Sequence, residues 1–402
     1  MRPIIHLFNT SVVSGPERLV LPALARFSTP FLIVNLLEER IAHLRKSDPL
    51  GEFCRSLNLP YHTVAVRGRW DRRAAKELSL LIQERDPALF HTHGPKASLY
   101  LLQAFRHGAR RRFPIVSTHH GVRGLPDLKT RVYEWIYRRY WLKTFDRICS
   151  VSSADYECLL RSGIDLAKAR LHLNGIDGRR IAGEERPKES RRSRALWLPS
   201  EAERDRLFLF GVVGRLSAEK DHARILQTLS GLNRLPAARE WRCLIFGSGA
   251  LESRLRDMAR ELGLEKRVVW MGYRNTLADE LSGLDLLLSF SKAEGLPINL
   301  VEAGWAGTPV MATLVGGVSD LLPDESYGIR VPLDEPTATA TLQMQGLLSE
   351  KGSAKLSAQA ARFQERVTQE FTQTKWMRRL EEIYSELNVS LESAALTASI
   401  PS

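Results

Sequence analysis

"LDLLLSFSKAEGLPINLVEAGWAGTPVMAT", residues 284–313, passes from an apolar run through a polar loop and a helical pattern into a second apolar run. Short apolar runs joined by helices are the mark of βα units and parallel sheets. Pro297 fits a first helical position, where a missing N–H costs nothing. The same stretch sets Glu294 at the mouth of the loop and Glu302 inside the helix, on one face with Asn299 by i,i+3 spacing. Carboxylates only accept hydrogen bonds, so two of them beside a phosphate site suit sugar hydroxyls, which must donate. Taken singly, Glu294 reads as a helix-capping acid and Glu302 as a solvated residue, so the neighbouring motifs decide.

The pattern fills both halves of the chain. In the first, "PIIHLFN", "FLIVNLL", "YHTVAV", "LFHTH", "IVSTHH", "RICSVS" and "RLHLNG" read as strands. In the second, "LFLFGVVG", "CLIFGSG", "VVWMGY", "LDLLLSFS", "PVMATL" and "YGIRVP" do so. Each set is large enough for its own doubly wound sheet, so the expected fold is α/β with two Rossmann-like domains. The boundaries read as 1–176, a charged linker at 177–206 and a second domain at 207–365. A helix at 366–388 then packs back toward the first domain, and 389–402 is a flexible tail.

Open parallel sheets bind ligands beyond the carboxyl ends of their strands. There "FGVVGRLSAEKDHARIL" (210–226) supplies Gly214, Arg215 and Lys220: free backbone N–H groups, a forked donor and a point charge, together suited to a diphosphate. "IFGSGALE" (245–252) lacks the third glycine of a dinucleotide fingerprint and reads as a tight turn with close packing. "YRN" (273–275) offers backbone amides to the edge of a nucleobase.

These pieces, in the order "GVVGRLSAEKD", "CLIFGSGALESRLRDMARELGLEKRVVWMGY", "EGLPINLVEAGWAGTPVMATLVGG", resemble the C-terminal domain of family 4 retaining glycosyltransferases of GT-B fold. The resemblance extends backwards through "HLNGID", "FDRICSVSSADYECLL", "STHHG", "HTHG" and "SGPERLVLPAL". It implies two domains facing a cleft and a UDP- or GDP-linked sugar donor, with no cofactor. Arg215 and Lys220 would hold the diphosphate, Glu302 the ribose, and Glu294 the transferred sugar. Gly214, Gly295 and Asn299 would line the donor site, with Tyr273 and Arg274 near the base and Gly15 near the phosphate. His120 would approach sugar and acceptor. The implied catalytic set is His120, Glu294, Arg215 and Lys220. Two departures stand out: Ser14–Gly15–Pro16–Glu17 replaces a double glycine, and Asp320 stands where the family's pattern has a glutamate.

No Asp-x-Asp motif occurs, so the reading is metal-independent transfer in which the cationic pair stabilises the leaving diphosphate. His119 competes with His120 for the acceptor role, and His91 and His93 read as structural or cleft-lining.

The 402 residues carry a net charge of +12, divided as +14 over residues 1–180 and −2 over the rest. A basic first half points to an anionic membrane surface or acceptor. "KTRVYEWIYRRYWLKTF" (129–145) reads as a helix. Val132, Tyr133, Ile136, Tyr137, Tyr140 and Trp141 would pack inward, opposite Arg131, Arg138 and Arg139 with Trp135 and Leu142 among them. Glu17, Arg131, Trp135, Arg138 and Arg139 are the expected acceptor or membrane residues. Arginines among aromatics also suit single-stranded nucleic acid, although no nucleic-acid partner is expected. A basic binding protein that has lost its chemistry, and a nucleotide-sugar epimerase, are the alternatives. No apolar run approaches the roughly 20 residues that span a bilayer. None of the four cysteines sits in a CxxC pair or at zinc spacing, and they read as buried, reduced thiols. The expected location is cytoplasmic, peripheral on the inner membrane face, and the expected acceptor a lipid-linked or lipopolysaccharide-type glycan.

Overall fold

The computed structural model describes residues 2–39, 48–121, 135–178, 207–274 and 277–392. The chain forms two compact units, residues 1–174 with 373–402 and residues 175–372. In the first, the elements run β1 (Ile4–Phe8), α1 (Gly15–Leu24), β2 (Phe31–Glu38), α2 (Pro49–Ser56), β3 (Tyr61–Val66), α3 (Arg72–Arg85), β4 (Leu89–His93), α4 (Pro95–Arg106), β5 (Ile115–His119), β6 (Arg147–Ser150), α5 (Ser153–Arg161) and β7 (Ala169–Leu171). The sheet is parallel throughout, in the order β3-β2-β1-β4-β5-β6-β7. Strands covered on both faces read as unbroken apolar runs, and β2 is buried over seven consecutive residues. Leu78 of α3 and Tyr100 and Leu101 of α4 close one face over Ile5, Leu7, Val34 and Phe90. Each such side chain contributes roughly 1.5–3 kcal/mol by burial.

The second unit holds β8 (Leu207–Val213), α6 (His222–Asn233), β9 (Glu240–Phe246), α7 (Glu252–Glu261), β10 (Val268–Gly272), α8 (Ala278–Ser282), β11 (Leu286–Ser289), α9 (Ile298–Trp305), β12 (Val310–Thr313), α10 (Val318–Leu321), β13 (Ile329–Val331), α11 (Thr337–Leu347) and α12 (Glu350–Glu370). Its parallel sheet has the order β10-β9-β8-β11-β12-β13. Every strand expected from the sequence is present.

In both sheets the strand order reverses once, between β1 and β4 and between β8 and β11. At such a switch point the connections leave in opposite directions, and a crevice opens beyond the carboxyl ends.

Two local expectations change. The helix expected at 366–388 is divided: residues 366–370 finish α12, and α13 (Gln373–Ser385) follows as part of the first unit. The break falls at Phe371, whose carbonyl accepts the Ile176 N–H at 3.0 Å beside a parallel Ile176–Thr372 bridge, so the chain there passes from helix to extended pairing. Gly175 permits this, because a Cβ there would lie 2.2 Å from the Thr372 carbonyl oxygen. Of the expected linker, residues 179–206 lie outside the described residues, as do 393–402 of the expected tail.

The expected helix at 129–145 is described from Trp135 onward and is not regular. It closes a π-turn at Tyr137–Trp141, in which the Leu142 N–H donates to the Tyr137 carbonyl, and ends in a 3₁₀ turn at Leu142–Thr144. The extra residue in the turn places Leu142 over Tyr137 rather than beside the arginines. Leu142 is therefore core, whereas Tyr140, expected inside, is exposed.

Candidate active site

The switch point of the second unit gathers Gly214, Arg215, Lys220 and Glu294 from the predicted donor set. Gly214 and Arg215 follow β8, and Ser291 to Glu294 follow β11, the strand paired to it. Lys220, in the 3₁₀ turn Ala218–Lys220, places its Nζ 2.6 Å from Glu294 Oε1. The same carboxylate oxygen accepts from the Ser291 hydroxyl at 2.7 Å. Glu294 is largely buried at its side chain and Lys220 three-quarters so, whereas Arg215 is exposed. Without a ligand, then, the cation and the acid read from distant motifs hold each other. An ammonium has three donors, so Lys220 can grip an anion without releasing Glu294.

This loop is braced from three sides. The Lys292 N–H donates to the Glu219 carbonyl at 2.8 Å, and Lys292 Nζ pairs with Asp221 at 3.2 Å. Asn299 Nδ2 donates to the Val213 carbonyl at 2.8 Å, tying α9 to the end of β8. The Gly317 N–H donates to the Gly295 carbonyl at 2.5 Å. Gly316 sits at φ +53°, and a Cβ on it would lie 1.8 Å from the Glu294 carbonyl oxygen. A glycine pair after a strand signals such close backbone approach. Gly316→Ala is expected to cost about 2–5 kcal/mol, from the left-handed backbone and the forced shift together. Thermal unfolding checks this, and an unchanged midpoint with full activity would show that the loop is not braced there.

Gly247, at φ +142°, has the same character: a Cβ on it would stand 1.9 Å from the Gly214 carbonyl oxygen. That agrees with the tight-turn reading of "IFGSG".

Some predicted residues have other tasks. Asn299 spends its amide on Val213 and accepts the Leu300 N–H at 3.0 Å, so it positions α9. Pro297 is one residue further out than expected, capping a helix that starts at Ile298. Glu302 lies within α9, half-buried, and Tyr273 and Arg274 are exposed beyond β10, while Asn275 is outside the described residues. Ser291 was not anticipated, since a lone serine in a loop carries no signal of the carboxylate it meets.

In the first unit Gly15 opens α1 at the carboxyl end of β1. Glu17, expected at the acceptor or membrane surface, is buried and accepts both the Ser14 N–H (2.8 Å) and the Ser14 hydroxyl (2.7 Å). The carboxylate closes the helix start, as a residue at that spacing does.

His119, the last residue of β5, and His120, the first beyond it, part company. His119 is buried with its Nε2 3.0 Å from the Tyr137 hydroxyl, and His120 lies with Nε2 3.2 Å from His93 Nδ1. Burial pushes His120 down to about 4 and His6 to about 3, and holds His91 and His93 well below the usual imidazole range.

The basic surface is described in part. Trp135, Tyr140 and Trp70 are exposed, and the Arg139 guanidinium stands 5.6 Å from the centre of the Tyr140 ring. Trp135, Arg139, Lys143 and Arg161 border a hollow of about 450 Å³ with Ser162 and Gly163. Arg131 lies outside the described residues, as does the side chain of Arg138. No helix among the described residues is long and apolar enough to cross a membrane.

Comparison with known proteins matches residues 193–363 to the family described as glycosyl transferases group 1, and residues 38–180 to glycosyltransferase family 4. A UDP-Gal:alpha-D-GlcNAc-diphosphoundecaprenol alpha-1,3-galactosyltransferase of Escherichia coli is 23% identical over 83% of this chain and 84% of its own. A lipopolysaccharide 1,6-galactosyltransferase of Salmonella typhimurium is 29% identical over 43% of this chain and 46% of its own. Among solved structures, Anabaena HepE in complex with UDP superposes with a TM-score of 0.77 at 17% identity, covering 96% of this chain and 100% of that one.

Proposed function

Because the chain belongs to the family 4 glycosyltransferases of GT-B fold, we propose that it moves a sugar, with retention and without a metal, from a UDP- or GDP-sugar to a lipid-linked or lipopolysaccharide-type glycan at a membrane surface. The observation that carries this reading is the meeting of Lys220 and Glu294 beside Arg215 at the switch point of the second unit. A cation there serves the diphosphate and an acid beside it serves the hydroxyls of the sugar, one donor molecule spanning both. An epimerase would need the same site but no basic, aromatic surface on the other unit. A binding protein without chemistry would have no use for the pair. The relatives that act on lipid-linked and lipopolysaccharide acceptors support the acceptor class.

The test is a thermal-shift screen of nucleotide-sugars followed by transfer assays with lipid-linked and soluble acceptors. A stabilising donor that is turned over only with a lipid or envelope glycan is the expected result. Epimerisation of the donor, or stabilisation by none, would overturn the proposal. Activity should survive EDTA, since Arg215 and Lys220 supply the positive charge that a divalent ion would otherwise provide. Loss restored by magnesium would refute the metal-independent path.

Membrane attachment should be peripheral and released by salt. Each basic residue near an anionic leaflet adds about 1 kcal/mol, and Trp70, Trp135 and Tyr140 offer rings suited to the interface. Co-sedimentation with liposomes containing phosphatidylglycerol is expected at low salt for the wild type. It should be weakened at least tenfold by the combined Trp135→Ser, Arg139→Ser and Tyr140→Ser substitutions. Equal sedimentation of the two proteins would place attachment elsewhere.

A further inference from the structure

The hollow bordered by Trp135, Arg139, Lys143, Arg161, Ser162 and Gly163 lies at the end of the first unit's sheet opposite the crevice. Lys143 comes just before β6, and the chain there is tied to the amino ends of the strands. The Asp146 N–H donates to the Ile115 carbonyl at 3.0 Å, where β5 begins, and the Ile148 N–H to the Lys168 carbonyl at 2.9 Å, just before β7. α5 leaves the carboxyl end of β6 and returns to a parallel β7, so Arg161, Ser162 and Gly163 stand at that same amino end. The five residues of β5, rising about 3.3 Å each, set about 16 Å of sheet between this end and His119. The reacting hydroxyl of an acceptor lies elsewhere.

The hollow is braced. Lys168 Nζ donates to the Lys143 carbonyl at 2.7 Å, which fixes the backbone that carries Lys143. Gly163 sits at φ +78°, and a Cβ on it would lie 3.5 Å from Lys143 Nζ. The ammonium thus stands over a residue whose backbone favours glycine, with no side chain to fill the space. At the rim the Trp135 and Tyr140 rings meet edge to face, 5.9 Å between centres, and both are more than half exposed.

The charge here is unbalanced. Among the described residues neither Arg139 nor Lys143 pairs with a carboxylate, and Arg161 has only Glu157, at 3.7 Å. Both members of that pair are about two-thirds exposed, so solvent screens it and it holds the arginine weakly. The Ser162 hydroxyl donates to the Cys158 carbonyl at 2.8 Å. What remains is two forked guanidinium donors and an ammonium, which call for an acceptor-only anion of phosphate type. The volume, about 450 Å³, is that of a site for one small ligand, about 300–1,000 Å³. A nucleic-acid strand instead needs a groove that tracks its backbone.

We propose that this hollow binds the phosphate of one anionic bilayer phospholipid, clasped by Arg139, Lys143 and Arg161, with Trp135 and Tyr140 at the level of the glycerol. Amphipathic rings beside cations suit that boundary. The choice of ligand rests on the membrane attachment proposed above. To the diffuse attraction of a basic surface it adds a saturable site.

The test uses dihexanoylphosphatidylglycerol, kept monomeric, titrated calorimetrically into the intact protein. One-to-one saturation is expected. Lys143→Met and Arg161→Gln should each weaken it by about tenfold or more, the scale of one charge-assisted hydrogen bond. Arg72→Gln removes the same charge from the exposed start of α3 and should change it less than twofold. Dihexanoylphosphatidylcholine, whose phosphate is offset by its own cation, should bind at least tenfold more weakly. Uptake that never saturates, or an equal loss in Arg72→Gln, would reduce the site to a diffuse field and overturn the proposal. Inorganic phosphate binding as tightly as the lipid would overturn it too, as would tighter binding of oligothymidylate that Lys143→Met abolishes. Co-sedimentation of the wild type with anionic liposomes is scored separately. Saturable binding without sedimentation would uphold the hollow and count against membrane attachment, and sedimentation without saturable binding would do the reverse.

Discussion

Replacing Lys220 by methionine is expected to lower kcat by about 10²–10³-fold while KM for the nucleotide-sugar rises about tenfold or less. The size is that of removing one preorganised donor from developing negative charge, and the split is that of a group serving the transition state more than the ground state. The 2.6 Å contact with Glu294 adds a second expectation. Glu294→Gln leaves the shape but frees the ammonium, so free nucleoside diphosphate should bind at least as well as in the wild type while transfer collapses. Glu302→Ala, by contrast, should weaken the nucleotide itself. A Lys220→Met protein with unchanged kcat and a hundredfold higher KM would reduce Lys220 to ground-state binding. Weaker diphosphate binding in Glu294→Gln would mean that the ion pair orients the lysine for the phosphate.

Acid should unfold this protein at a mild pH. In the unfolded chain each histidine takes up a proton below about 6.5. In the folded chain His6 is lowered to about 3, His120, His172 and His222 to about 4, and His91 and His93 well below 6.5, all through burial first. Between these limits the unfolded state binds more protons, so stability falls as the pH falls, by up to about 1.4 kcal/mol per pH unit for each histidine. Several together would exhaust the roughly 5–15 kcal/mol of an ordinary domain within about two pH units below 6.5. The stability is fully present above that value. Thermal unfolding from pH 8 to pH 4.5 is the measurement. A midpoint that stays flat between pH 7 and pH 5 would mean that the imidazoles are not buried as neutral groups.

Much of this architecture is legible in local patterns. The strands, the two parallel sheets and the loops beyond their carboxyl ends follow from apolar runs bounded by glycine and polar residues. That signal is local and survives in a single chain. Which of His119 and His120 faces the crevice is not legible there, because β5 ends between them. Arg215, Lys220, Glu294 and Glu302 are marked by residue type and position.

What spacing cannot supply is which distant groups meet. Glu294 answers to Lys220 across 74 residues, and His91 to Tyr384 across 293. Neither partner carries a local sign of the other, because the contact is made by strand order and by a helix returning after a whole domain. Asn299 and Glu17 look like ligand residues by type, yet the folded backbone claims their side chains first. Leu142 and Tyr140 exchange places because one extra residue in a π-turn rotates everything after it, a choice that composition does not record. The residues able to do chemistry were thus set by the sequence itself. Which of them remain open to a ligand was decided by packing, since a buried polar group must find a partner and takes the nearest one the fold provides.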